Sequence, residues 1–270
     1  MSWWGKLLGG AFGFMLGGPL GALLGAVMGH QLDRGMHIAR LEGPELQPQH
    51  REQVQAAFFT ATFSVMGHIA KADGQVTRDE IRIAETLMRQ MELDAEQRKL
   101  AMALFRQGKA LDFDLHGVLD QFREQLGRQR NLLRIFIEIQ VQLALSDGVM
   151  DAAEERLLLQ ICRRLGIRQA EFRAIVYLVR ASGHFADQQR QQHGGSATAS
   201  PAATLGDAYE LLGIDSSAAD SEVKKAYRRQ LSRHHPDKLV SRGLPEEMRK
   251  VATDKTQQIK QAYEMIKKSR

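Results

Sequence analysis

Three groups of residues in this 270-residue chain carry side chains capable of chemistry. His235-Pro236-Asp237 sets an imidazole, a ring-locked residue and a carboxylate in consecutive positions. Asp73, Asp79 and Glu80, followed 74 positions after the first by Asp147 and then by Asp151 and Glu154, are oxygen donors of the kind a hard cation takes. Cys162 is the single cysteine. The second and third groups also have an ordinary structural role. Aspartate before glycine, as in Asp73-Gly74 and Asp147-Gly148, supports a turn, and Thr77-x-x-Glu80 and Asp151-x-x-Glu154 have the spacing of helix capping boxes. That is the reading adopted here, with Asp73, Glu80, Asp147 and Glu154 kept as the metal alternative. Cys162 falls among Leu157, Leu158, Ile161 and Leu165 at helical spacing, which predicts a buried, reduced thiol. Without a second cysteine or a histidine partner it forms neither a disulfide nor a zinc or nucleophile signature. No phosphate-cradling Gly-x-x-x-x-Gly-Lys sequence is present, so no catalytic residue and no cofactor are assigned.

The tripeptide must be held by what surrounds it. Asp207 to Ile214 reads as a short helix closed by Gly213, and Asp220 or Ser221 can cap the next one. That second helix has an apolar face of Val223, Ala226, Tyr227 and Leu231, and a face bearing Lys224, Lys225, Arg228, Arg229 and Arg233. Proline after His235 ends it, because proline lacks an N–H and restricts the residue before it. A last helix runs through Met248, Val251, Ile259, Ala262, Tyr263 and Ile266, so the tripeptide is expected at the tip of an antiparallel helix pair.

Residues 205–270 resemble the J domain of DnaJ-type co-chaperones over their whole length. The tyrosine-bearing first helix, the Lys-Lys-Ala-Tyr-Arg-Arg run and His235-Pro236-Asp237 match in order and spacing. The resemblance implies that Lys224, Tyr227, Arg228 and Arg229 dock on an acidic face of a DnaK-type chaperone, and that His235, Pro236 and Asp237 activate its ATPase. On that reading the chain is an activator and not itself an enzyme. Two positions depart from the family pattern. Gln230 stands where J domains often carry an apolar residue, with Leu231 as the expected substitute, and Thr256 stands where many carry phenylalanine. The Gly/Phe-rich region and zinc repeats of full DnaJ are missing.

Upstream, the periodicity is helical from Arg51 to Phe185, and the segment repeats itself at an offset of 74: Phe58, Val65, Ile69 and Leu87 fall opposite Leu132, Ile139, Leu143 and Ile161. Each copy predicts a buried helix, an Asp-Gly turn and an amphipathic helix, with linking helices near Ala95–Phe105 and Asp112–Gln125. Lys71-Ala72-Asp73-Gly74 and its duplicate resemble the TerB-like domain associated with tellurite resistance. Residues 186–204, polar and small with Gly194-Gly195-Ser196 and Pro201, predict a flexible linker that lets the last domain search for its partner.

At the other end, Leu7 to Gly29 contains no charged residue. A helix of that length spans roughly 34 Å, enough for a bilayer core. Trp3 and Trp4 suit the interface, and the run is longer than the apolar core of a cleavable signal. A single transmembrane helix at 7–29 is therefore expected, after a tail at 1–6 and before a juxtamembrane stretch at 30–50. Gly9, Gly13, Gly17, Gly21, Gly25 and Gly29 recur at every fourth residue and bare one face of that helix, which predicts a homodimer through the transmembrane segment. Arg34, Arg40 and Arg51 after the span favour a cytoplasmic C-terminal side.

The net charge of +5 is concentrated at the C-terminal end, where residues 205–270 hold 14 Lys/Arg against 10 Asp/Glu. Such a patch can meet nucleic acid or an acidic protein face; without exposed aromatics among the bases, and beside the tripeptide, the protein face is the reading taken and no nucleic acid is expected. The whole order of parts (all-α: glycine-rich anchor, duplicated TerB-like domain at 51–185, linker, J domain) resembles the DjlA family of DnaJ-like, membrane-anchored co-chaperones. That resemblance implies a bacterial inner-membrane protein in the lipid bilayer, its N-terminus periplasmic and its bulk cytoplasmic, directing a DnaK-type chaperone to tasks such as envelope-stress signalling. The alternative is a metal- or metalloid-responsive membrane scaffold.

Overall fold

A computed structural model describes residues 18–21, 46–71, 78–127, 129–145, 148–192 and 204–270. Among these the secondary structure is helical throughout, with no strand. The central module comprises α1 (Leu46–Ile69), α2 (Arg78–Gln90), α3 (Ala95–Gly108), α4 (Leu115–Leu126), α5 (Arg130–Ala144), α6 (Ala152–Arg164) and α7 (Gln169–Gln192). The C-terminal unit comprises α8 (Leu205–Leu212), α9 (Asp220–His234), the short α10 (Pro236–Val240), a 3₁₀ turn at Glu246–Met248 and α11 (Arg249–Ser269).

The duplication goes further than the expected helical hairpins. α2 and α6 are each 13 residues long and stand 74 positions apart at both ends, 78 to 152 and 90 to 164. α3 and α7 also begin 74 positions apart, at Ala95 and Gln169, so a third helix belongs to the repeat. The linking helices lie close to where periodicity put them, as α3 and α4.

α1 and α5 are the two buried spines, and their rings meet α4 in the middle. Phe58 lies edge-on to Phe122 at 5.9 Å and to Phe136 at 6.3 Å, while Phe122 and Phe136 approach to 4.7 Å. α3 crosses α1 at backbone contact. A Cβ on Gly67 would stand 1.9 Å from the carbonyl oxygen of Phe105, and one on Gly108 would stand 1.7 Å from that of Ser64, so only glycine fits at either crossing point.

α7 runs on to Gln192, past the expected domain end at 185. The segment from Ala186 to Gln192 contains no glycine or proline and is rich in helix formers, so nothing in it stops the helix. The expected linker otherwise falls at 193–203, outside the described residues. So does most of the apolar run at 7–29, including Gly9, Gly13, Gly17, Gly25 and Gly29. Residues 18–21 form a helical turn packed on α4: Leu20 is fully buried and its amide donates to Gln121 Oε1 at 2.8 Å. Gly21 is buried in that turn. Among the described residues no helix is long and apolar enough to cross a membrane.

Candidate partner-activating site

α8 begins with a capping box, Thr204 with Asp207, and ends on Gly213 in the left-handed conformation at φ 69°. α9 is capped one residue before the expected Asp220. Its N-cap is Ala219, which has no side-chain acceptor, and Glu222 supplies half a capping box by accepting from the Ala219 amide at 3.0 Å. Val223 and Ala226 turn into the core. Lys224, Lys225 and Arg228 are exposed on the opposite face. Arg229 is exposed too, with Nη2 3.4 Å from the Leu212 carbonyl oxygen. Tyr227 is half-buried and stacked on Tyr263, ring centres 4.2 Å apart, so its ring is engaged inside the domain.

The tripeptide forms a corner. His235 is the single extended residue (φ −61°, ψ 120°) between α9 and α10, and Pro236 is the first residue of α10. Proline suits that position, where an N–H would have no helical acceptor. Asp237 therefore sits in the first turn of a short helix rather than in an open loop. Its side chain is 64% exposed, and Oδ1 accepts from Arg249 Nη2. His235 is half-buried, and its Nδ1 is enclosed without a hydrogen-bond partner.

Both departures from the family pattern are built into this corner. Gln230, not Leu231, takes the core position: it is 3% exposed, and Nε2 lies 3.4 Å from the carbonyl oxygens of Leu211 and Leu212 at the end of α8. Leu231 is only half-buried. Thr256 Oγ1 donates to the His234 carbonyl oxygen at 3.1 Å, serving an acceptor left over at the end of α9. The sequence contained these residues without showing their partners.

One buried neighbour of the tripeptide was missed altogether. His234, immediately before the tripeptide, is 3% exposed. Its Nδ1 lies 3.0 Å from the Gln230 carbonyl oxygen, and its Nε2 lies 3.2 Å from both carboxylate oxygens of Glu138 on α5. Each ring nitrogen therefore faces an oxygen, a backbone carbonyl at Nδ1 and a carboxyl group at Nε2. Burial pushes the Glu138 carboxyl upward, but His234, with Lys255 and Arg134, outweighs it and holds the group at about 2. Burial brings Lys255 down to about 8 against the pull of Glu138. Periodicity shows that Glu138 lies on a buried helix; it cannot show that a residue 96 positions away meets its carboxyl group.

Of the remaining candidates, Asp151, Glu154 and Cys162 take structural places. Asp151 and Glu154 close a capping box on α6, with Asp151 Oδ1 accepting from the Glu154 amide at 2.8 Å and Glu154 Oε2 from the Asp151 amide at 3.0 Å. Asp73 and Asp147 lie outside the described residues, as do the side chains of Asp79 and Glu80. Among the described residues no group of three or more His, Cys, Asp or Glu is placed to hold a metal ion. Cys162 is buried, and that burial, with Glu171 adding to it, pushes the thiol up to about 12, away from nucleophilic thiolate.

Three family models match successive parts of the chain. That of the co-chaperone DjlA transmembrane domain covers residues 1–41, that of the tellurite resistance protein TerB 59–176, and that of the DnaJ domain 207–270. Curated relatives extend over the full length. The co-chaperone protein DjlA of Coxiella burnetii is 44% identical over 100% of this chain and 99% of its own. Its namesakes from Vibrio cholerae and Shewanella oneidensis are 42% and 44% identical over the same shares. No solved structure matches.

Proposed function

This chain belongs to the DjlA family of co-chaperones, and from that premise we propose that it recruits a DnaK-type chaperone through its J domain and stimulates that partner's ATPase. It is a membrane-anchored, regulatory J-domain protein whose partner is of the DnaK (Hsp70) type. The finer reading rests on the His235-Pro236-Asp237 corner standing beside an exposed basic face. Lys224 and Arg228 lie one turn apart and unobstructed, suited to steering an acidic surface onto the domain. Asp237 presents a carboxylate at the turn next to that face and already accepts a guanidinium from Arg249. An arginine of the partner can take the same oxygen by displacing a solvent-exposed ion pair, which costs little.

The action proposed is conformational: docking favours the partner state competent for hydrolysis, and the chemistry stays in the partner. The basic residues following the apolar run support an orientation with the bulk of the chain in the cytoplasm, where DnaK and ATP are. Inverted inner-membrane vesicles carrying the full chain test both parts together. Added DnaK should hydrolyse ATP faster with these vesicles than with vesicles lacking the chain, and His235→Gln should return the rate to basal. Equal rates with wild-type and His235→Gln vesicles would refute the proposal, and stimulation confined to right-side-out vesicles would reverse the orientation.

A further inference from the structure

The C-terminal unit is seated on the central module rather than standing apart from it, and the seat surrounds the tripeptide. At its centre the residue before the tripeptide, His234, is buried against Glu138 of α5, with Lys255 of α11 half-buried beside them and donating to Ser182 Oγ of α7. Just past the tripeptide, Leu239, Leu244, Met248 and Ala252 join the apolar core of the central module. Gln55 Nε2 donates to the Leu244 carbonyl oxygen at 3.4 Å. Gly243 presses so closely on α1 that a Cβ there would stand 2.5 Å from Val54 Cγ1. The rim carries Arg51 with Glu246 at 3.6 Å, Gln97 with Glu247 at 3.3 Å, and Lys250 with Glu92 at 2.7 Å.

Two features mark this as a specified yet separable interface. A buried ion pair inside an apolar contact adds little net stability, because desolvation offsets the attraction, but it penalises every arrangement in which either partner is left unpaired. The contact therefore has one register. It is also incompletely closed: a cleft of about 800 Å³ lies between the two bodies, lined by Ile135, Ile139 and Glu138 on one side and Met248, Val251 and Lys255 on the other. Permanent interfaces pack at the density of a protein core.

The seat treats the two halves of the partner-facing surface differently. Lys224, Lys225 and Arg228 remain open, as does the Asp237 carboxylate, whereas His235 and Pro236 are half-buried and Leu239 and Val240 are buried. We propose that the central module is an intramolecular brake on the J domain: docked through Glu138 and His234, the domain can meet a partner with its basic face but withholds the His235-Pro236 side of the tripeptide corner until the α10–α11 side lifts away. This rests on the co-chaperone reading above.

The test uses the full chain in lipid nanodiscs, with DnaK and ATP. Lys250 and Glu92 are close enough to be joined by a zero-length carbodiimide, so the yield of that linkage reports the docked fraction and its formation locks the dock. Glu138→Ala should lower the yield. It should also raise stimulation by up to about tenfold, the gain when a competent fraction on the order of a tenth becomes the majority. Locked wild type should stimulate less than unlocked, while Glu92→Gln treated with the same reagent should be unaffected. A Glu138→Ala chain that undocks yet stimulates no more than wild type overturns the brake, as does locked protein that is fully active, or a linkage yield that Glu138→Ala leaves unchanged. Failure of the co-chaperone reading looks different: wild type and Glu138→Ala would then both stay at the basal rate.

Discussion

Thr256 and Gln230 show what single residues contribute beside the tripeptide. α9 ends abruptly at His235 because proline follows, which leaves the last carbonyls of the helix to find donors elsewhere. The Thr256 hydroxyl meets one of them, that of His234, in a site where only 9% of the residue is exposed. Thr256→Val keeps the shape and removes the donor, so the orphaned oxygen should cost about 1–3 kcal/mol. Urea unfolding of the full chain should show a lower midpoint for the C-terminal transition; an unchanged midpoint would mean that water replaces the hydroxyl without loss. Gln230 does comparable work across the domain, tying α9 to the end of α8 by its amide nitrogen, while its Oε1 is left without a partner. A family pattern could flag both residues as unusual. It could not say that they answer open backbone groups, since those groups exist only once the helices have met.

At the scale of elements, the closest glycine-mediated fit among the described residues is between α1 and α3. Gly108→Ala would place a methyl group 1.7 Å from the Ser64 carbonyl oxygen, and neither backbone can yield without parting the helices. The expected loss is about 3 kcal/mol or more, at the upper end for overpacking. Thermal unfolding should show the central module melting earlier, and a midpoint within a degree of wild type would mean the two helices slide apart freely. Much of this layer was legible in the sequence. Apolar spacing gave α1, α5 and α6, the self-similarity gave the pairing of α2 with α6, and Asp151-x-x-Glu154 marked a real capping box. The third repeated helix was not legible. α7 shares its starting offset with α3 but not its length, and its apolar positions serve two bodies: Phe172 and Ile175 face the central core, while Leu178, Ala181 and Phe185 face the J domain. A helix that divides its burial between two partners loses the internal resemblance by which repeats are found.

For the whole molecule the decisive fact is that the two bodies share a buried charge. A polar stretch between 186 and 204 suggested a J domain free to roam, and composition cannot reveal that Glu138 and His234 hold it in place. Docking through this pair must depend on pH. The groups facing Glu138 are Arg134 on its own helix, His234 and Arg233 from α9, and Lys255 from α11; Arg134 also pairs with Glu171 of α7 at 2.7 Å. The Glu138 carboxyl is held at about 2 in the docked chain against an ordinary 4.5, so its contribution is present in full above about 4.5 and is lost as pH falls towards 2. Lys255 acts in the opposite sense at the alkaline end. Its ammonium is penalised by burial below about 8, and that penalty fades as pH climbs towards 10.5, where the released side chain would also be neutral. At neutral pH, Glu138→Ala leaves the buried His234 Nε2 without its hydrogen-bond partner and the Lys255 ammonium without its counter-charge, and should weaken the seat by about 3–5 kcal/mol. Melting the wild-type and Glu138→Ala chains side by side should therefore show a wide gap at pH 6 that closes between pH 4.5 and 2. A gap of constant width across that range would mean that Glu138 holds the J domain by packing, with its charge contributing nothing.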